Sequence, residues 1–257
     1  MCTPPDLIVN ADPTPLPHTA LRGATWNVER GRRPAAVRRA LANRVLVHRL
    51  DFVLLQELSG YVGYLTRHPI KGYTLVAPDR ANAVLVRDGI TAEHARNDDM
   101  SDAGWFTHTG RPHPGASGTV VLLGGWLRTV SVHGPVSVSW PKGTPRGPSR
   151  RVAAYLDHTD WLVDYVAKGR ARHPHLSHLL GGDWNARTWE HGPGTPADLA
   201  KRAHLQLVEP AKREGPGHNG IDYVATDTRV DGMRKRGTGG SDHPFVTFVV
   251  YPPTAVA

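Results

Sequence analysis

The chain has 257 residues, of which 39% are hydrophobic and 21% charged, and its formal net charge is +8 at pH 7. This length and composition exclude a largely disordered chain and a small domain held together only by disulfides or a structural metal, because a sizeable core can form. The positive charge favours a polyanionic partner such as nucleic acid or an anionic membrane surface. The chain has 25 Arg and 6 Lys, however, and such a preference for Arg can also arise from GC-rich coding DNA.

The N-terminal segment, residues 1–19, is rich in proline, and we expect a poorly ordered arm or one that packs along the surface. A single domain is predicted over residues 20–257. The segment has no basic region and only a short apolar run, so a secretory signal is not expected. Cys2 is the sole cysteine, which excludes an intramolecular disulfide and fits a reducing cytoplasm, and no run is long enough to span a bilayer.

The first half of the domain combines strands with one long helix. A strand is predicted over residues 21–26, and the run 52–56 predicts a buried strand. Pro34 opens a helix whose apolar residues recur at spacings of three to five, namely Val37, Leu41, Val45, Leu46 and Leu50. Further strands are predicted over 73–77, 81–87, 118–123 and 126–132. Gly124 and Gly125 indicate a hairpin between the last two, and residues 97–117 predict a binding loop or a mobile one.

The second half begins with a loop at 142–149 and a helix for which Ser149 is a plausible N-cap. A strand at 179–180 then leads into Gly181-Gly182-Asp183, and a short helix is predicted over 196–204. The final strands are predicted over 205–208, 221–225 and 245–251. Helices mixed with hairpin-linked strands favour a pair of mixed or antiparallel sheets covered by helices over a doubly wound parallel sheet.

Six short polar motifs occur at the ends of predicted strands, where loops from two packed sheets would converge. In chain order they lie at residues 25–29, 55–57, 131–135, 182–186, 220–224 and 240–244. Their carboxylates, amides and imidazoles are the groups that metal-assisted cleavage of a phosphodiester requires. In order and spacing the motifs resemble the endonuclease/exonuclease/phosphatase superfamily, the DNase I-like metal-dependent phosphoesterases, and the resemblance covers about residues 21–251.

The resemblance implies an α/β (α+β) fold, a four-layer αββα sandwich in which two mixed sheets pack face to face with helices outside. It also implies a divalent-metal site, usually served by Mg²⁺. Glu57 matches the principal metal carboxylate, with Asn27 beside it and Asp242 as a further ligand or metal-side acid, and Glu29 matches a position that is acidic in some members. Oxygen ligands of this kind suit Mg²⁺ or Mn²⁺ rather than zinc.

The same resemblance implies the residues that act on the phosphoester. Asp183 and Asn185 would share a face of a fully extended strand, and in the family they orient the attacking water and the scissile phosphate. His243 matches the imidazole that handles the proton or stabilises the phosphate, with Asp222 as its orienting partner. His133 resembles the second histidine of the DNase I and phosphatase branches, which disfavours abasic-site repair.

Several neighbouring residues carry weaker predictions. Asp79 and Glu93 are both candidates for the acid that supports the second histidine. Arg32 and Arg187 follow the first and fourth motifs and are predicted to bind substrate phosphate, as planar multidentate donors. Trp184 is predicted to be a packing residue rather than a platform for base stacking.

Taken together, these patterns predict a divalent-metal-dependent phosphodiesterase that hydrolyses nucleic acid, with an endonuclease on DNA as the leading form. One alternative is a phosphatase or phosphodiesterase acting on a small molecule or a lipid headgroup, because the core motifs are shared across the superfamily. A second alternative is a non-catalytic binding module on the same fold. The sequence indicates no obligate protein partner.

Overall fold

The computed structural model describes residues 20–28, 33–58, 60–78, 82–99, 117–134, 150–185, 195–210, 222–237, 241 and 243–253. The helices are α1 (Pro34–Val47), α2 (Val62–Arg67), α3 (Arg150–Arg172) and α4 (Pro196–Arg202). The first strands are β1 (Leu21–Asn27), β2 (Phe52–Gln56), β3 (Tyr73–Val76), β4 (Asn82–Arg87), β5 (Ala92–Asp99) and β6 (Ser117–Leu123). The later strands are β7 (Leu127–His133), β8 (Ser177–Asp183), β9 (Gln206–Val208), β10 (Asp222–Thr226), β11 (Val230–Lys235) and β12 (Val246–Val250).

The strands form two six-stranded sheets. Sheet A has the order β11-β12-β1-β2-β4-β3, and sheet B has the order β5-β6-β7-β8-β10-β9. Each sheet contains one parallel pair, β1 with β2 in sheet A and β7 with β8 in sheet B, among antiparallel neighbours. Both sheets are therefore mixed, as predicted.

Helices cover the outer face of each sheet, which gives the predicted αββα order of layers. In β2, Phe52 and Leu54 belong to the apolar cluster that also contains residues of sheet B, α3 and α4. The alternate residues Val53 and Leu55 belong to a second cluster, with α1 and α2 on the outer face of sheet A. All four side chains are fully buried. Because both faces of β2 are covered, its residues 52–55 are continuously apolar rather than alternating.

Most predicted elements agree with the structure. The strand predicted over 52–56 matches β2, and Gly124 and Gly125 adopt φ values of +59° and +74° in the turn between β6 and β7. The helical periodicity was extended too far, since α1 ends at Val47 and Leu50 lies beyond it. Leu46 was also placed wrongly on the apolar stripe, because its side chain is 64% exposed.

The structure contains three elements that the sequence patterns did not predict, namely α2, β5 and β11. The predicted loop at 97–117 is consequently too long, because residues 97–99 belong to β5 and residue 117 begins β6. The predicted N-terminal arm at 1–19, the loop at 142–149 and its N-cap Ser149 lie outside the described residues. No helix in the described part of the chain is long and apolar enough to cross a membrane.

Candidate active site

Three polar residues form a row across the edge of sheet B. His133, the last residue of β7, pairs in register with Asp183, the last residue of the parallel strand β8. Asp183 in turn pairs with Asp222, the first residue of the antiparallel strand β10. Residues directly opposite one another on adjacent strands point to the same face. The strand register thus places these three predicted site residues side by side, and all three are buried.

Sheet A contributes Asn27 and Glu57 from the ends of its two parallel strands. Asn27 ends β1 opposite Gln56, so Glu57 follows directly after the same edge. In a continuing strand Glu57 would face outward with Val53 and Leu55, because side chains alternate. Instead, Glu57 has a left-handed backbone with φ +56°, and its Oε1 lies 3.2 Å from Nδ2 of Asn27. A bulky residue seldom adopts this conformation, and such strain concentrates at functional sites.

Asp183 lies at the centre of the group. Its Oδ2 accepts a hydrogen bond of 2.8 Å from Nδ2 of Asn27, which links the two sheets. The same oxygen is 3.7 Å from Nε2 of His133 and 3.6 Å from Nε2 of His243. Nε2 of His133 is also 3.4 Å from Oε1 of Glu57. The Asp183 carboxylate therefore lies next to side chains of three separate segments, and the residue is only 1% exposed.

His243 and Asp222 form a close pair beside this centre. Nδ1 of His243 is 3.3 Å from each carboxylate oxygen of Asp222. Burial raises the pKa of the Asp222 carboxyl to about 6, and the negative charge of Asp183 adds to that rise, whereas His243 and Lys235 oppose it. A hydrogen bond from Nδ1 to Asp222 orients the ring and leaves Nε2 directed towards Asp183. Lys235, at the end of β11, had no role in the sequence predictions.

Ser241 holds the His243 segment against sheet A. Its hydroxyl donates a hydrogen bond of 2.8 Å to the backbone carbonyl of Asn27 and accepts one of 3.0 Å from the backbone N–H of His243. Ser241 is buried. The serine of the last motif thus positions the histidine relative to β1, a role that sequence reasoning did not assign.

Asn185 reaches the site by a different route from the one predicted. β8 ends at Asp183, and Asn185 has a left-handed backbone with φ +51°, so the two residues do not share the face of one extended strand. The backbone N–H of Asn185 donates to Oδ1 of Asp183 at 2.9 Å, and its Nδ2 donates to the carbonyl of Gly134 at 2.8 Å. A Cβ at Gly134 would lie 2.5 Å from the carbonyl oxygen of Trp184, so only glycine permits this approach.

A buried polar bridge joins the two sheets directly beneath the site. Nε2 of Gln56 donates to Oγ of Ser131 at 3.0 Å, and this hydroxyl donates to the carbonyl of Leu55 at 3.0 Å. Thr25 donates to Oε1 of Gln56 at 3.3 Å. Gln56 precedes Glu57, and Ser131 lies two residues before His133. The bridge therefore fixes the spacing of the two halves of the site, and no sequence pattern identified it.

Trp184 and Tyr223 support the strand ends from below. Their rings stack with centroids 5.0 Å apart, and Nε1 of Trp184 donates to the Tyr223 carbonyl at 3.0 Å. Both side chains are buried, which agrees with the prediction that Trp184 is a packing residue. This contact stiffens the segments that carry Asp183 and Asp222.

The donor atoms suit a hard divalent cation. Single ligand atoms of Glu57, His133 and Asp183 all lie within 4.8 Å of one another, and so do those of Asp183, Asp222 and His243. Three carboxylates, two of them almost completely buried, lie at one edge of the sandwich. Buried carboxylates need a compensating positive charge, and a carboxylate-rich set is typical of Mg²⁺ and Mn²⁺ sites.

The remaining predicted residues have different outcomes. Glu93 is an exposed residue near the start of β5, at the opposite end of sheet B from His133, so it cannot be the supporting acid. Nδ1 of His133 has no hydrogen-bond partner among the described residues. Four predicted site residues and the other candidate for the supporting acid lie outside the described part of the chain: Glu29, Arg32, Arg187, Asp242 and Asp79.

Comparisons with known proteins agree with this architecture. A family model described as the Endonuclease/Exonuclease/phosphatase family matches residues 24–252. Truncated Caenorhabditis elegans TDP2 is similar in structure, with a TM-score of 0.61 and 15% identity over 90% of this chain and 98% of that chain. D. rerio TDP2 complexed with single strand DNA product has a TM-score of 0.59 and 16% identity over 90% and 99% of the two chains.

The human nocturnin catalytic domain with bound sulfate anion is also similar, with a TM-score of 0.59 and 13% identity over 90% of this chain and 94% of that chain. No curated protein sequence matches the chain. At these low identities the structural similarities show the fold alone.

Proposed function

The chain belongs to the Endonuclease/Exonuclease/phosphatase family, and we propose that it is a divalent-metal-dependent phosphodiesterase that hydrolyses nucleic acid as an endonuclease on DNA. The observation that carries this proposal is the convergence on Asp183. Its carboxylate lies within 3.7 Å of Asn27 from one sheet and of two histidines, His133 and His243. A binding module has no physical need for such a buried set of acids, amide and imidazoles.

Two observations support nucleic acid as the substrate. The net charge of +8 favours a polyanion, whose binding would release counterions and weaken with salt. A structural neighbour, D. rerio TDP2, is described in complex with a single strand DNA product. We further propose that Arg32 and Arg187 contact substrate phosphates. A cytoplasmic location remains a prediction from the single cysteine.

We assign the metal site to Glu57 and Asn27, with Asp242 and Glu29 as further ligands. Mg²⁺, or Mn²⁺ in its place, would neutralise charge on the phosphate when bound. Asn27 donates through Nδ2 to Glu57 and to Asp183, so it holds the two carboxylates in a fixed relation. Such orientation by outer hydrogen bonds is a usual requirement of metal sites.

Asp183 is assigned to the attacking water, because its buried carboxylate accepts hydrogen bonds and faces both histidines. Asn185 and His133 are assigned to the non-bridging oxygens of the phosphate. One N–H of the Asn185 amide is held by the Gly134 carbonyl, which fixes the orientation of the group, and the second N–H is the donor that we assign to the phosphate. Fixed donors of this kind stabilise developing charge without reorganisation.

His243 is assigned to proton transfer at Nε2. Asp222 holds Nδ1 and stabilises the imidazolium that forms when Nε2 takes a proton. Nε2 lies 3.6 Å from Oδ2 of Asp183, so a water held by Asp183 would be within reach of the imidazole. The two residues therefore divide the work: Asp183 orients the water, and His243 moves the proton.

The decisive experiment incubates the purified protein with supercoiled plasmid and, in parallel, with bis(4-nitrophenyl) phosphate, in the presence of Mg²⁺, Mn²⁺ or EDTA. Plasmid nicking that requires metal is expected, and Asp183→Asn should lower the rate by about 10²- to 10⁴-fold. Asp160→Asn is the matched control, because Asp160 is an exposed aspartate on α3 and should leave the rate unchanged.

The two substrates separate the alternatives. Turnover of the small diester without plasmid nicking would replace the nuclease with a phosphodiesterase of small molecules or lipid headgroups. If neither substrate turns over with any metal, the proposed nuclease is wrong, and a phosphatase on another substrate or a binding module becomes the next hypothesis.

A further inference from the structure

A cavity of about 160 Å³ lies on the outer face of sheet B, beneath the C-terminal half of α3. Its apolar wall consists of Val120 and Leu122 from β6, Tyr165 from α3 and Leu176, which precedes β8. An apolar cavity of about 150 Å³ holds one benzene molecule. The space is therefore large enough for a small ring or a short branched chain.

The polar part of the wall is basic. Arg128, Lys168, Arg172 and His173 line the cavity, and no acidic residue does so among the residues that the structure describes. Nζ of Lys168 forms an ion pair with the exposed Asp164, whose Oδ2 is 2.6 Å away. The C-terminal end of α3 contributes about half a negative charge through its dipole. Arg128, whose Nη1 donates to the Tyr165 carbonyl at 3.4 Å, and the exposed Arg172 together carry more positive charge than the helix end carries negative charge, so the cavity favours an anion.

Arg128 is held in a buried position within this wall by its neighbours. Its side chain comes from β7, is 8% exposed, and stacks with its guanidinium carbon 4.0 Å from the centre of the Tyr165 ring. A Cβ at Gly169 of α3 would lie 2.2 Å from Nη1 of Arg128 and 3.0 Å from Nε2 of His178. Glycine at this helical position therefore makes room for two basic groups beneath the helix.

His178 adds a polar atom to the space beneath Gly169. The residue is fully buried and pairs in register with Arg128 across β8 and β7. Its Nδ1 lies 3.2 Å from Oδ2 of Asp227, whereas its Nε2 has no hydrogen-bond partner among the described residues. A buried polar atom of this kind is costly unless a further group satisfies it.

The cavity is separate from the candidate active site. Arg128 and His133 are five residues apart on β7, which corresponds to about 16 Å along the strand. They also point to opposite faces of sheet B, because an odd separation reverses the side chain. A molecule in the cavity would contact α3 and the outer face, not the row formed by His133, Asp183 and Asp222.

From these observations we infer that the cavity binds a small organic acid, with a carboxylate facing Arg128 and Arg172 and an apolar body of about benzene size against Val120, Leu122 and Leu176. Such a ligand matches both the volume and the charge of the walls. The inference does not depend on the proposed phosphoesterase activity.

The test titrates the full-length protein, in EDTA, with 4-fluorobenzoate, followed by fluorine NMR and isothermal titration calorimetry. The neutral isostere 4-fluorobenzyl alcohol is titrated in parallel. We expect saturable binding of the acid, at least several-fold tighter than that of the alcohol. The backbone amide signals of Gly169 and Leu176 should shift on binding, and the signals of Asp183 and His243 should not.

Arg172→Gln is the principal variant, because Arg172 is exposed at the end of α3 and its loss should not impair folding. It should weaken binding of the acid several-fold and leave binding of the alcohol unchanged. Arg39→Gln, an exposed change on α1 of the opposite layer, is the charge-matched control and should have no effect. The inference is overturned if the acid and the alcohol bind equally well, or if the two variants have equal effects. It is also overturned if the shifts are confined to the active-site residues, or if no saturable binding occurs at millimolar concentration.

Discussion

Asp222 and His243 stand side by side, with both carboxylate oxygens of Asp222 3.3 Å from Nδ1 of His243. Asp222→Asn keeps the shape of the side chain but removes the charge that stabilises an imidazolium. We expect kcat for phosphodiester hydrolysis to fall by about 10²- to 10⁴-fold, with a smaller change in KM. Steady-state kinetics with a chromogenic diester measures both parameters.

The chain supplies a matched control for this change in a second aspartate and histidine pair. Oδ2 of Asp227 lies 3.2 Å from Nδ1 of His178, at the opposite end of sheet B. Asp227→Asn should therefore lower stability without a comparable loss of kcat. Equal losses of kcat in the two variants would mean that the Asp222 effect is structural, and the proposed role of His243 would fail.

The pH dependence of activity gives a second readout of the same pair. Burial raises the pKa of the Asp222 carboxyl to about 6. The protonated carboxyl cannot stabilise an imidazolium, so activity is expected to increase as the pH rises through about 6. In Asp222→Asn the residual activity should lose this step. A profile of kcat/KM against pH for the two proteins tests the expectation.

Glu57→Gln tests the metal assignment independently of catalysis. The change removes the negative charge of a residue whose Oε1 lies 3.2 Å from Nδ2 of Asn27. Loss of an outer hydrogen-bond partner typically costs 10- to 100-fold in metal affinity, roughly, and a direct ligand should cost more. Mn²⁺ titration followed by electron paramagnetic resonance measures this affinity.

Glu93→Gln provides the control for Mn²⁺ binding, because Glu93 is an exposed acid on β5 far from the site. Its affinity should equal that of the unaltered protein. If Glu57→Gln binds Mn²⁺ as tightly as Glu93→Gln does, Glu57 is not a metal ligand.

The elements that sequence patterns predicted well are those whose side chains carry the packing. β2 is buried on both faces, so its apolar run identifies it. β5 is an edge strand of mostly polar residues, joined by backbone pairing to β6, and has no apolar alternation. β11 is interrupted by Gly232 at φ +63° and a shift in register, and α2 has only six residues, too few for a periodic signal.

For the candidate site, the sequence predicts the identities of the residues but not the contacts that fix their geometry. Its charged and polar residues lie in short motifs, so a family resemblance locates them before any fold is known. The contacts that fix their geometry are long-range: Gln56 meets Ser131 across 75 positions, and Ser241 meets Asn27 across 214. No spacing pattern in the sequence predicts either contact. The left-handed backbone at Glu57 was equally inaccessible, because nothing in the residue type favours it.

Ser131→Ala tests whether the bridge between the sheets positions the site. The change leaves Nε2 of the buried Gln56 without its partner, which should lower the free energy of unfolding by about 1–3 kcal/mol. Because Gln56 precedes Glu57, kcat and Mn²⁺ affinity should also fall. Denaturant titration, kinetics and Mn²⁺ titration of one preparation measure the three quantities.

Thr129→Val is the matched control for Ser131→Ala. Thr129 lies two residues earlier on the same face of β7, is fully buried, and its Oγ1 has no hydrogen-bond partner among the described residues. Replacing this hydroxyl by a methyl group should leave stability unchanged or raise it, and Mn²⁺ affinity should stay the same. If both variants retain normal Mn²⁺ affinity and kcat, the bridge stabilises the fold but does not position the site.

Asp227 should make stability depend on pH in the acid range. Burial alone would raise the pKa of this carboxyl, but hydrogen bonds from the side chain and backbone of His178 and from Arg170 outweigh it and hold the pKa below its usual value. The unfolded pKa is about 4, so the contribution is fully present above that pH and is lost as the pH falls through the folded value. The stability gap between the unaltered protein and Asp227→Asn should therefore narrow on acidification, in urea titrations at neutral and acid pH. Asp160→Asn, which changes an exposed ion pair with Arg202, should show a gap near zero throughout, and a pH-independent gap for Asp227→Asn would contradict the assignment.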